Sequence, residues 1–436
     1  MRHIRGRGLC MSASLWLSLA IFAQGQVTAI RAGRLIDPEA GTALTNQVIL
    51  VEGKTIRAVG PDLPIPPGAV VIDLSNATVM PGMFDCHAHM CYSSVNRRGG
   101  SPQASIALQM AYYAGNTTAF RAIQGVANAR TMLEAGFTTI RDLGNAGNYA
   151  DTDLRRAIAE GIVPGPTMVT AGRLICPFGG QYRPSDRGYT INPDHRGYEG
   201  PEYLFADTRD ELRKAIRENL FYGAQVIKLV VDDQPYIYSA DDLRFVLQEA
   251  HAAGVKVAAH CVTEAGARNA AEAGVDSIEH GFEMSDATIA LARKNGVVLV
   301  GTDFTAAYLR EYGTDPARAQ KSYEARLDRI RRAYRAGLEM AFGSDVIFDL
   351  EGRTRGEVSL SIVDAYVDAG LPNSYILQML TTKAARLLGV EKQRGAIRPG
   401  LAADLIAMPE NPLEKIQAIK SVAFVMKDGS VCKGRK

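Results

Sequence analysis

Metal-binding side chains stand at the ends of five apolar segments that are typical of parallel β-strands. Their candidate ligands are four histidines, a lysine and the aspartate at position 345, and the segments cover residues 85–89 (Asp-Cys-His-Ala-His), 226–231, 258–260, 277–280 and 342–345. Imidazole nitrogens and carboxylate oxygens suit zinc and other divalent first-row ions. His87 and His89 are two positions apart, so on an extended strand they point to the same face and can bind one ion. A single His-x-His is a weak signal, but five such segments in this order predict a metal-dependent hydrolase.

The size of the chain indicates a globular protein, and its charge balance indicates which kinds of partner it can bind. The chain has 436 residues, of which 47% are hydrophobic and 22% charged, which suits a globular protein with one large core and a smaller one. Its 49 basic and 47 acidic residues give a net charge of +2, so nucleic acid is not an expected partner. No stretch after residue 25 is apolar for long enough to cross a bilayer.

The first 25 residues have the composition of a secretory signal peptide. Three arginines precede a mostly apolar run over residues 9–22, and Ala23-Gln24-Gly25 offers small residues for cleavage. A membrane anchor and a buried first helix are the alternatives, but the run is short for a membrane span. We therefore expect a periplasmic or secreted protein without membrane association after cleavage.

Both ends of the chain have the period-two pattern of short β-strands. Residues 27–36, 46–59 and 69–79 are β-prone and are separated by turn signals, and a similar set returns over residues 395–434. Neither set is large enough to bury the face of a sheet alone. We predict that residues 26–80 and 393–436 pack together as one small β-sandwich domain.

The middle of the chain, residues 81–392, alternates strands with helices. The strands are expected at 83–89, 137–143, 166–171, 225–231, 256–262, 277–281, 297–303 and 339–346. Helices are expected at 119–135, 208–220, 240–253, 264–273, 286–294 and 317–336, several of them followed by glycine. This alternation predicts a parallel sheet closed as a (β/α)₈ barrel of the α/β class. Such barrels carry their active sites at the carboxyl ends of the strands, where the five metal-binding segments lie.

Residues 27–434 resemble the amidohydrolase superfamily of binuclear metal hydrolases. Residues 79–89 (Val-Met-Pro-Gly-Met-Phe-Asp-Cys-His-Ala-His) and 395–404 (Gly-Ala-Ile-Arg-Pro-Gly-Leu-Ala-Ala-Asp) are similar to motifs of its secreted Xaa-Pro dipeptidase, imidazolonepropionase-like and ochratoxinase-like members. The resemblance implies two divalent ions, with zinc as the expected metal, and assembly of the chain as a homo-oligomer. It also implies a carboxylated lysine that bridges the ions. The implied ligands are His87, His89 and Asp345 on one ion, His260 and His280 on the other, and Lys228 as the bridge.

The surroundings of Lys228 agree with this role. Its neighbours Ile227 and Leu229 are apolar, so desolvation should disfavour the charged amine, and the neutral amine can capture carbon dioxide. An ordinary ion-paired lysine is the alternative. Likewise, His280 alone could be a core histidine, and Asp345 alone could be a helix cap.

The implied reaction is hydrolysis of a C–N amide bond. A hydroxide that bridges the two ions would attack the carbonyl, and Asp345 would be the catalytic residue that accepts a proton and passes it to the departing amine. The expected substrates are dipeptides or N-acyl amino acids, as in a dipeptidase or carboxypeptidase, with ochratoxin A as one candidate. A cyclic amide or imide hydrolase, a deaminase on the same barrel, and a catalytically silent scaffold are the alternatives.

Such substrates carry a free carboxylate, for which a cationic or hydroxyl partner is expected. Candidates on loops that follow strands are Tyr236, Tyr238, Arg353 and Arg355, with Arg183 as a further arginine; each could instead be a solvated loop residue. Gln181 stands where related proteins often carry a histidine after paired glycines, and it is included among the candidate substrate contacts. The long segment 173–207 is expected to act as a lid or an oligomer contact.

Overall fold

The computed structural model describes residues 26–95, 111–113, 115–181, 201–233 and 235–434. Residues 1–25, the predicted signal peptide, lie outside the described residues, as does Arg183. Within the described ranges, none of the helices combines the length and apolar character that a membrane span requires.

Strands from both chain ends form one seven-stranded sheet. Its members are β1 (Val27–Asp37), β2 (Thr42–Glu52), β3 (Thr55–Pro61), β4 (Val70–Pro81), β16 (Leu405–Met408), β17 (Phe424–Lys427) and β18 (Ser430–Lys433). The order across the sheet is β18-β17-β16-β4-β1-β2-β3, so the antiparallel pairing of β16 with β4 joins the two ends of the chain.

This sheet curls back on itself. The β3 edge bonds to the segment that precedes β16: the Ile56 amide donates to the Leu401 carbonyl (2.8 Å), and the Ala403 amide donates to the Lys54 carbonyl (2.9 Å). The apolar side chains that alternate along the strands are thereby enclosed in a core of their own, which includes Ile30 and Phe424. The predicted small β domain built from both ends of the chain is confirmed.

The barrel strands follow in chain order. They are β5 (Met83–Ala88), β7 (Phe137–Asp142), β8 (Thr167–Thr170), β9 (Leu174–Cys176), β11 (Val226–Val230), β12 (Lys256–Cys261), β13 (Ser277–His280) and β14 (Val298–Val300). Two further strand pairs lie at the mouth: β10 (Tyr203–Phe205) beside β9, and the short parallel pair β6 (Ser94–Val95) with β15 (Phe348–Asp349).

The eighth strand, predicted at 339–346, closes the barrel without forming a regular strand. Its backbone bonds to both neighbours: the Leu299 amide donates to the Glu339 carbonyl (2.9 Å), and the Cys86 amide donates to the Phe342 carbonyl (2.8 Å). Gly343 permits a close approach to β5, because a Cβ there would lie 2.7 Å from the His87 Cβ atom. The backbone therefore passes very close to the strand that carries the first two histidines.

The third strand differs from its prediction. It is interrupted after Thr170 and resumes as β9, which bonds to β11. The expected insertion at 173–207 therefore begins and ends in strands, β9 and β10, that extend the barrel wall. Residues 182–200, on which the predicted lid or oligomer contact falls, lie outside the described residues.

The six predicted helices are present, with ends that shift by at most one residue. They are α1 (Thr118–Glu134), α3 (Arg209–Phe221), α4 (Ala240–Ala252), α5 (Glu264–Ala273), α6 (Asp286–Lys294) and α8 (Pro316–Ala336). The structure adds α2 (Ala150–Ala159), α7 (Ala306–Glu311), α9 (Arg355–Ser361), α10 (Asp364–Asp368), α11 (Asn373–Met379) and α12 (Thr382–Leu388). Threonine or serine side chains cap most N-termini of the predicted helices, and Gly274 and Gly337 end α5 and α8 with positive φ. The predicted (β/α)₈ barrel is confirmed.

Candidate metal centre

The six predicted ligands converge at the carboxyl ends of the barrel strands. They comprise two side chains on or just after β5, one on β11, one on β12, one at the end of β13, and one on the closing segment: His87, His89, Lys228, His260, His280 and Asp345. The His87 ring centroid lies 5.2 Å from that of His89 and 5.0 Å from that of His280. The His260 and His280 rings are 4.4 Å apart. The strands have thus brought residues separated by up to 258 positions to one place.

His87 is oriented by a buried carboxylate. Its Nδ1 atom donates to Glu279 Oε2 at 2.8 Å, which leaves Nε2 as the nitrogen that can bind an ion. That Nε2 atom lies 3.5 Å from Lys228 Nζ and 3.5 Å from Asp345 Oδ1. Burial holds the pKa of His87 well below its usual value, so the ring is neutral and its nitrogen is free to coordinate.

His89 and His280 are held in the same way. His89 Nδ1 donates to the Gly144 carbonyl at 2.8 Å, and its Nε2 atom lies 3.2 Å from Asp345 Oδ1. His280 Nδ1 lies 2.7 Å from the Thr302 hydroxyl. Burial also lowers the pKa of His280 well below its usual value. Burial opposes protonation of His89, but the contact with Asp345 outweighs it and raises its pKa.

His260 meets a second carboxylate. Asp233 Oδ2 lies 2.7 Å from His260 Nε2. Asp232, the next carboxylate in this group, accepts from the Val262 and Thr263 amides at 2.7–3.0 Å. Ligand atoms of Asp232, Asp233 and His260 lie within 4.8 Å of one another, so this group is a second place in the described chain that could hold a metal ion.

Lys228 is buried on β11 beside these rings. Desolvation lowers its pKa to about 8, so a substantial fraction of the amine is neutral near physiological pH. Glu279 and Asp345 oppose this shift through their charges. A lysine with a lowered pKa is a better nucleophile than an exposed one.

Asp345 faces the two histidines of β5. Burial opposes its ionisation, but His87 and His89 outweigh this and lower its pKa below the usual value. Asp345, His280 and Thr302 all adopt left-handed backbone, with φ of 53°, 69° and 49°. Such conformations cost non-glycine residues roughly 1–3 kcal/mol each and cluster at functional sites, where they fix side-chain direction.

A buried ion pair that the sequence analysis did not single out supports His87. Arg141 Nη2 donates to Glu279 Oε1 at 2.7 Å, while Arg141 Nε donates to the Cys86 carbonyl at 2.6 Å. Both side chains are buried inside apolar strands. Charged residues within the segments Thr-Thr-Ile-Arg and Ser-Ile-Glu-His were the signal that could have revealed them, because such charges are rarely buried without a partner.

Two of the predicted substrate contacts, Arg355 and Tyr238, lie inside the protein. Arg355 is buried, and its guanidinium donates to the His89 carbonyl (3.1 Å) and to the Tyr92 carbonyl (3.0 Å), so it supports the loop after β5. Tyr238 is also buried, and its hydroxyl donates to the Ala206 carbonyl at 2.5 Å. Both side chains hold backbone carbonyls, and a role for either in binding substrate stays a prediction.

The other three candidates differ in position. Gln181 belongs to the site's surroundings, because its Nε2 atom donates to Asp233 Oδ2 (3.0 Å) and its Oε1 atom accepts from the Tyr203 hydroxyl (3.0 Å). Tyr236 is exposed. Arg353 pairs with Glu311 at 3.4 Å on the outer surface, and its role in binding substrate stays a prediction.

The donor set fits a pair of divalent cations. His89 Nε2 and Asp345 Oδ1 lie 3.2 Å apart, and a cation bound between them would satisfy both groups. Atoms of His87, His280 and Asp345 also lie within 4.8 Å of one another, which is close enough to share an ion. Nitrogen and carboxylate ligands of this kind suit zinc and related ions.

Comparisons with known proteins agree with this geometry. The model of the amidohydrolase family matches residues 78–432. Ochratoxinase of Aspergillus niger is 28% identical over 454 aligned positions, which cover 96% of this chain and 89% of that protein. Imidazolonepropionase of Anaeromyxobacter sp. (strain K) is 25% identical, with 90% of this chain and 92% of that protein covered.

A solved structure is similar to this chain over most of its length. A Xaa-Pro dipeptidase with methionine bound in its active site superposes with a TM-score of 0.81 at 27% identity, covering 94% of this chain and all of that one. The resemblance inferred from the sequence motifs is confirmed. The chain belongs to the amidohydrolase family and is a hydrolase that acts on C–N bonds.

Proposed function

We propose that this protein is a binuclear metal-dependent amidohydrolase that cleaves the amide bond of dipeptides or N-acyl amino acids. The observation that carries the proposal is the convergence of four imidazoles, Lys228 and Asp345, with the outer nitrogens of His87 and His89 already bonded to oxygen acceptors. Zinc is the proposed metal, because this ligand set is rich in imidazole.

Lys228 is proposed to carry a carboxyl group. The neutral Nζ atom attacks carbon dioxide and loses a proton, which gives a carbamate anion with two oxygen ligands. The supporting observations are its burial, its lowered pKa and the 3.5 Å distance from Nζ to His87 Nε2. This lysine also favours amide hydrolysis over the deaminase alternative, because such deaminases usually use one ion and no bridging lysine.

Two divalent ions held here would supply a nucleophilic water of lowered pKa and polarise the scissile carbonyl. Asp345, whose pKa is lowered, is unprotonated at neutral pH and can accept a proton from the attacking water. It then returns this proton to the departing amine nitrogen, so that the amide C–N bond breaks and an acid and an amine are formed. The contacts of Glu279 and Gly144 keep the two β5 imidazoles in the tautomers that this arrangement needs.

The proposed substrate class rests on the relatives that match over most of the chain. Their names, ochratoxinase and Xaa-Pro dipeptidase, denote enzymes that act on ochratoxin and on dipeptides. We propose that this chain acts on an amide bond in a substrate of this kind. Cyclic amides remain the second candidate, since imidazolonepropionase is also among its relatives.

The test combines metal analysis with a substrate screen. Zinc-loaded protein should contain two ions per chain and should hydrolyse members of a library of dipeptides and N-acyl amino acids. Asp345→Asn should lower kcat by at least about 100-fold while most of the metal is retained. Lys228→Arg, which keeps a cation but cannot form a stable carbamate, should lose paired metal binding, whereas Lys321→Arg on the exposed surface should not. One ion or none per wild-type chain, or full activity of Asp345→Asn, would contradict the proposal.

We also propose that residues 1–25 are removed during export to the periplasm or medium and that the mature chain forms a homo-oligomer. N-terminal sequencing of protein recovered from the expressing cells and light scattering of the purified protein test these two points. An intact Met1 or a monomeric mass would contradict the respective proposal.

A further inference from the structure

One arginine at the mouth of the barrel has no carboxylate partner among the described residues. Arg326 lies on α8, and its guanidinium carbon sits 4.4 Å from the Phe282 ring centroid. The Phe282 ring is in turn 5.4 Å from the His280 ring. These two distances put the guanidinium within about 10 Å of a predicted metal ligand. Arg326 thus lies beside the site although it comes from an outer helix.

The hydrogen bonds of Arg326 are incomplete. Its Nη1 atom donates to the Ser322 hydroxyl and to the Ser322 carbonyl (3.1 Å). Its Nε atom is buried without an acceptor, and no acceptor for Nη2 is found within the part of the chain that the structure describes. A buried donor without a partner is unfavourable, and such groups in native proteins call for an explanation, which an absent ligand can provide.

Its neighbour one turn along the helix, Arg329, holds a carboxylate, although its Nε and Nη1 atoms are buried without an acceptor among the described residues. Arg329 donates to Asp303 and to the Gly301 carbonyl (3.3 Å), so the nearest carboxylate is already paired. Burial lowers the pKa of Arg326 to about 10, and the group therefore keeps its positive charge at neutral pH. The Phe282 ring fixes the guanidinium plane through a cation–π contact.

We propose that Arg326 binds the free carboxylate on the amine half of the substrate and so determines specificity for N-acyl amino acids and dipeptides. The Nε–Nη2 edge of a guanidinium forms two parallel hydrogen bonds to a carboxylate. A carboxylate one residue beyond the cleaved bond is about 3.8 Å of backbone away, and a charge-assisted hydrogen bond adds about 2.8 Å. Together these spans are about 6.6 Å, which fits inside the distance of about 10 Å between the guanidinium and the His280 ring. This inference rests on the proposed function, because it needs a substrate of that class.

The test compares the best N-acyl amino acid from the screen with its C-terminal carboxamide. The wild-type protein should prefer the free acid, and Arg326→Gln should lower kcat/KM for the acid by about 10- to 100-fold while kcat/KM for the carboxamide stays unchanged. Arg326→Lys should retain part of the preference. Arg318→Gln, an exposed arginine on the same helix, is the matched control and should leave both substrates unaffected.

The outcomes are separable. Equal loss on both substrates with intact metal content would show that Arg326 only supports the structure, and no loss would show that it does not bind substrate. If Arg326→Gln does not fold, the wild-type protein decides: cleavage of acid and carboxamide at similar rates overturns the proposal. Failure of the wild-type protein to cleave any amide contradicts the proposed function itself.

Discussion

Replacing Glu279 by glutamine should weaken metal binding without touching a ligand. In the native site, Glu279 accepts from His87 through one oxygen and from Arg141 through the other. Glutamine has the same shape but only one acceptor. If its amide nitrogen faces His87, the ring must take the other tautomer, and a proton then occupies the nitrogen that should bind the ion. If it faces Arg141, two donors oppose each other.

The magnitudes follow from these contacts. Removing the carboxylate behind a metal-binding histidine typically costs 10- to 100-fold in affinity or activity, which corresponds to about 1.4–2.7 kcal/mol. Leaving a buried charge unpaired costs about 3–5 kcal/mol. Arg141 keeps its bonds to the Cys86 carbonyl and to the Ser277 hydroxyl (3.0 Å), so the lower end of that range, about 3 kcal/mol, is expected for the metal-free protein.

Two assays separate the effects. Competition with a chromophoric chelator measures metal affinity, and urea unfolding of the metal-free protein measures stability. Glu134→Gln is the matched control, because Glu134 pairs with Arg130 at 2.8 Å on the exposed face of α1 and its loss should change stability by no more than about 0.5 kcal/mol. If Glu279→Gln bound metal as tightly as the wild-type protein, the role assigned to the Glu279–His87 contact would be refuted.

Three further outcomes are expected. Burial, and then the charge of Asp142, raise the pKa of Asp151 to about 7. In the unfolded chain this carboxyl group ionises near pH 4, so between pH 4 and 7 the folded chain binds one more proton than the unfolded chain. The free energy of unfolding therefore falls over this range by at most about 1.4 kcal/mol per pH unit. Asp151→Asn, which keeps an acceptor for the Gly172 amide, should flatten that slope in urea unfolding measured at several pH values; an unchanged slope would contradict the shift. Arg355→Met should lower the free energy of unfolding by roughly 3 kcal/mol, because buried carbonyl groups lose their hydrogen-bond donor. A melting temperature equal to that of the wild-type protein would show that these hydrogen bonds do not stabilise the fold. Removing metal with a chelator should abolish hydrolysis, and zinc should restore it; activity that survives metal removal would exclude the proposed mechanism.

Much of the architecture could be predicted from local patterns. Hydrophobic periodicity, helix caps and terminal glycines depend on residues a few positions apart, and they located the six helices to within one residue. The irregular closing segment and the interruption of the third strand could not be predicted from such patterns. At Gly343 the backbone geometry is set by contact with His87, a residue far away in the sequence, and no local pattern encodes such a contact.

The candidate site likewise has features that could be predicted from the sequence and features that could not. The spacing of His87 and His89, and the succession of ligand-bearing strands, marked the residues that converge. The supports of the site were not predicted, because their partners are remote: Glu279 lies 192 positions from His87, and Arg355 lies 266 positions from His89. Loop position alone therefore suggested a substrate role for Arg355, whereas burial made it a support.

The sequence by itself determined the barrel, the β domain built from both chain ends, and the identity of the six convergent side chains. The barrel and the β domain follow from residue type and period, which act over short distances along the chain, whereas the ligand set was implied by the resemblance of the motifs to the amidohydrolase superfamily. Only the tertiary structure decided which histidine nitrogens can bind an ion and which charged groups are buried in pairs. It also decided that the Nε donor of Arg326 is buried without an acceptor. The physical reason is that hydrogen bonding, desolvation and charge pairing depend on distances in space, which are set only when all eight strands close.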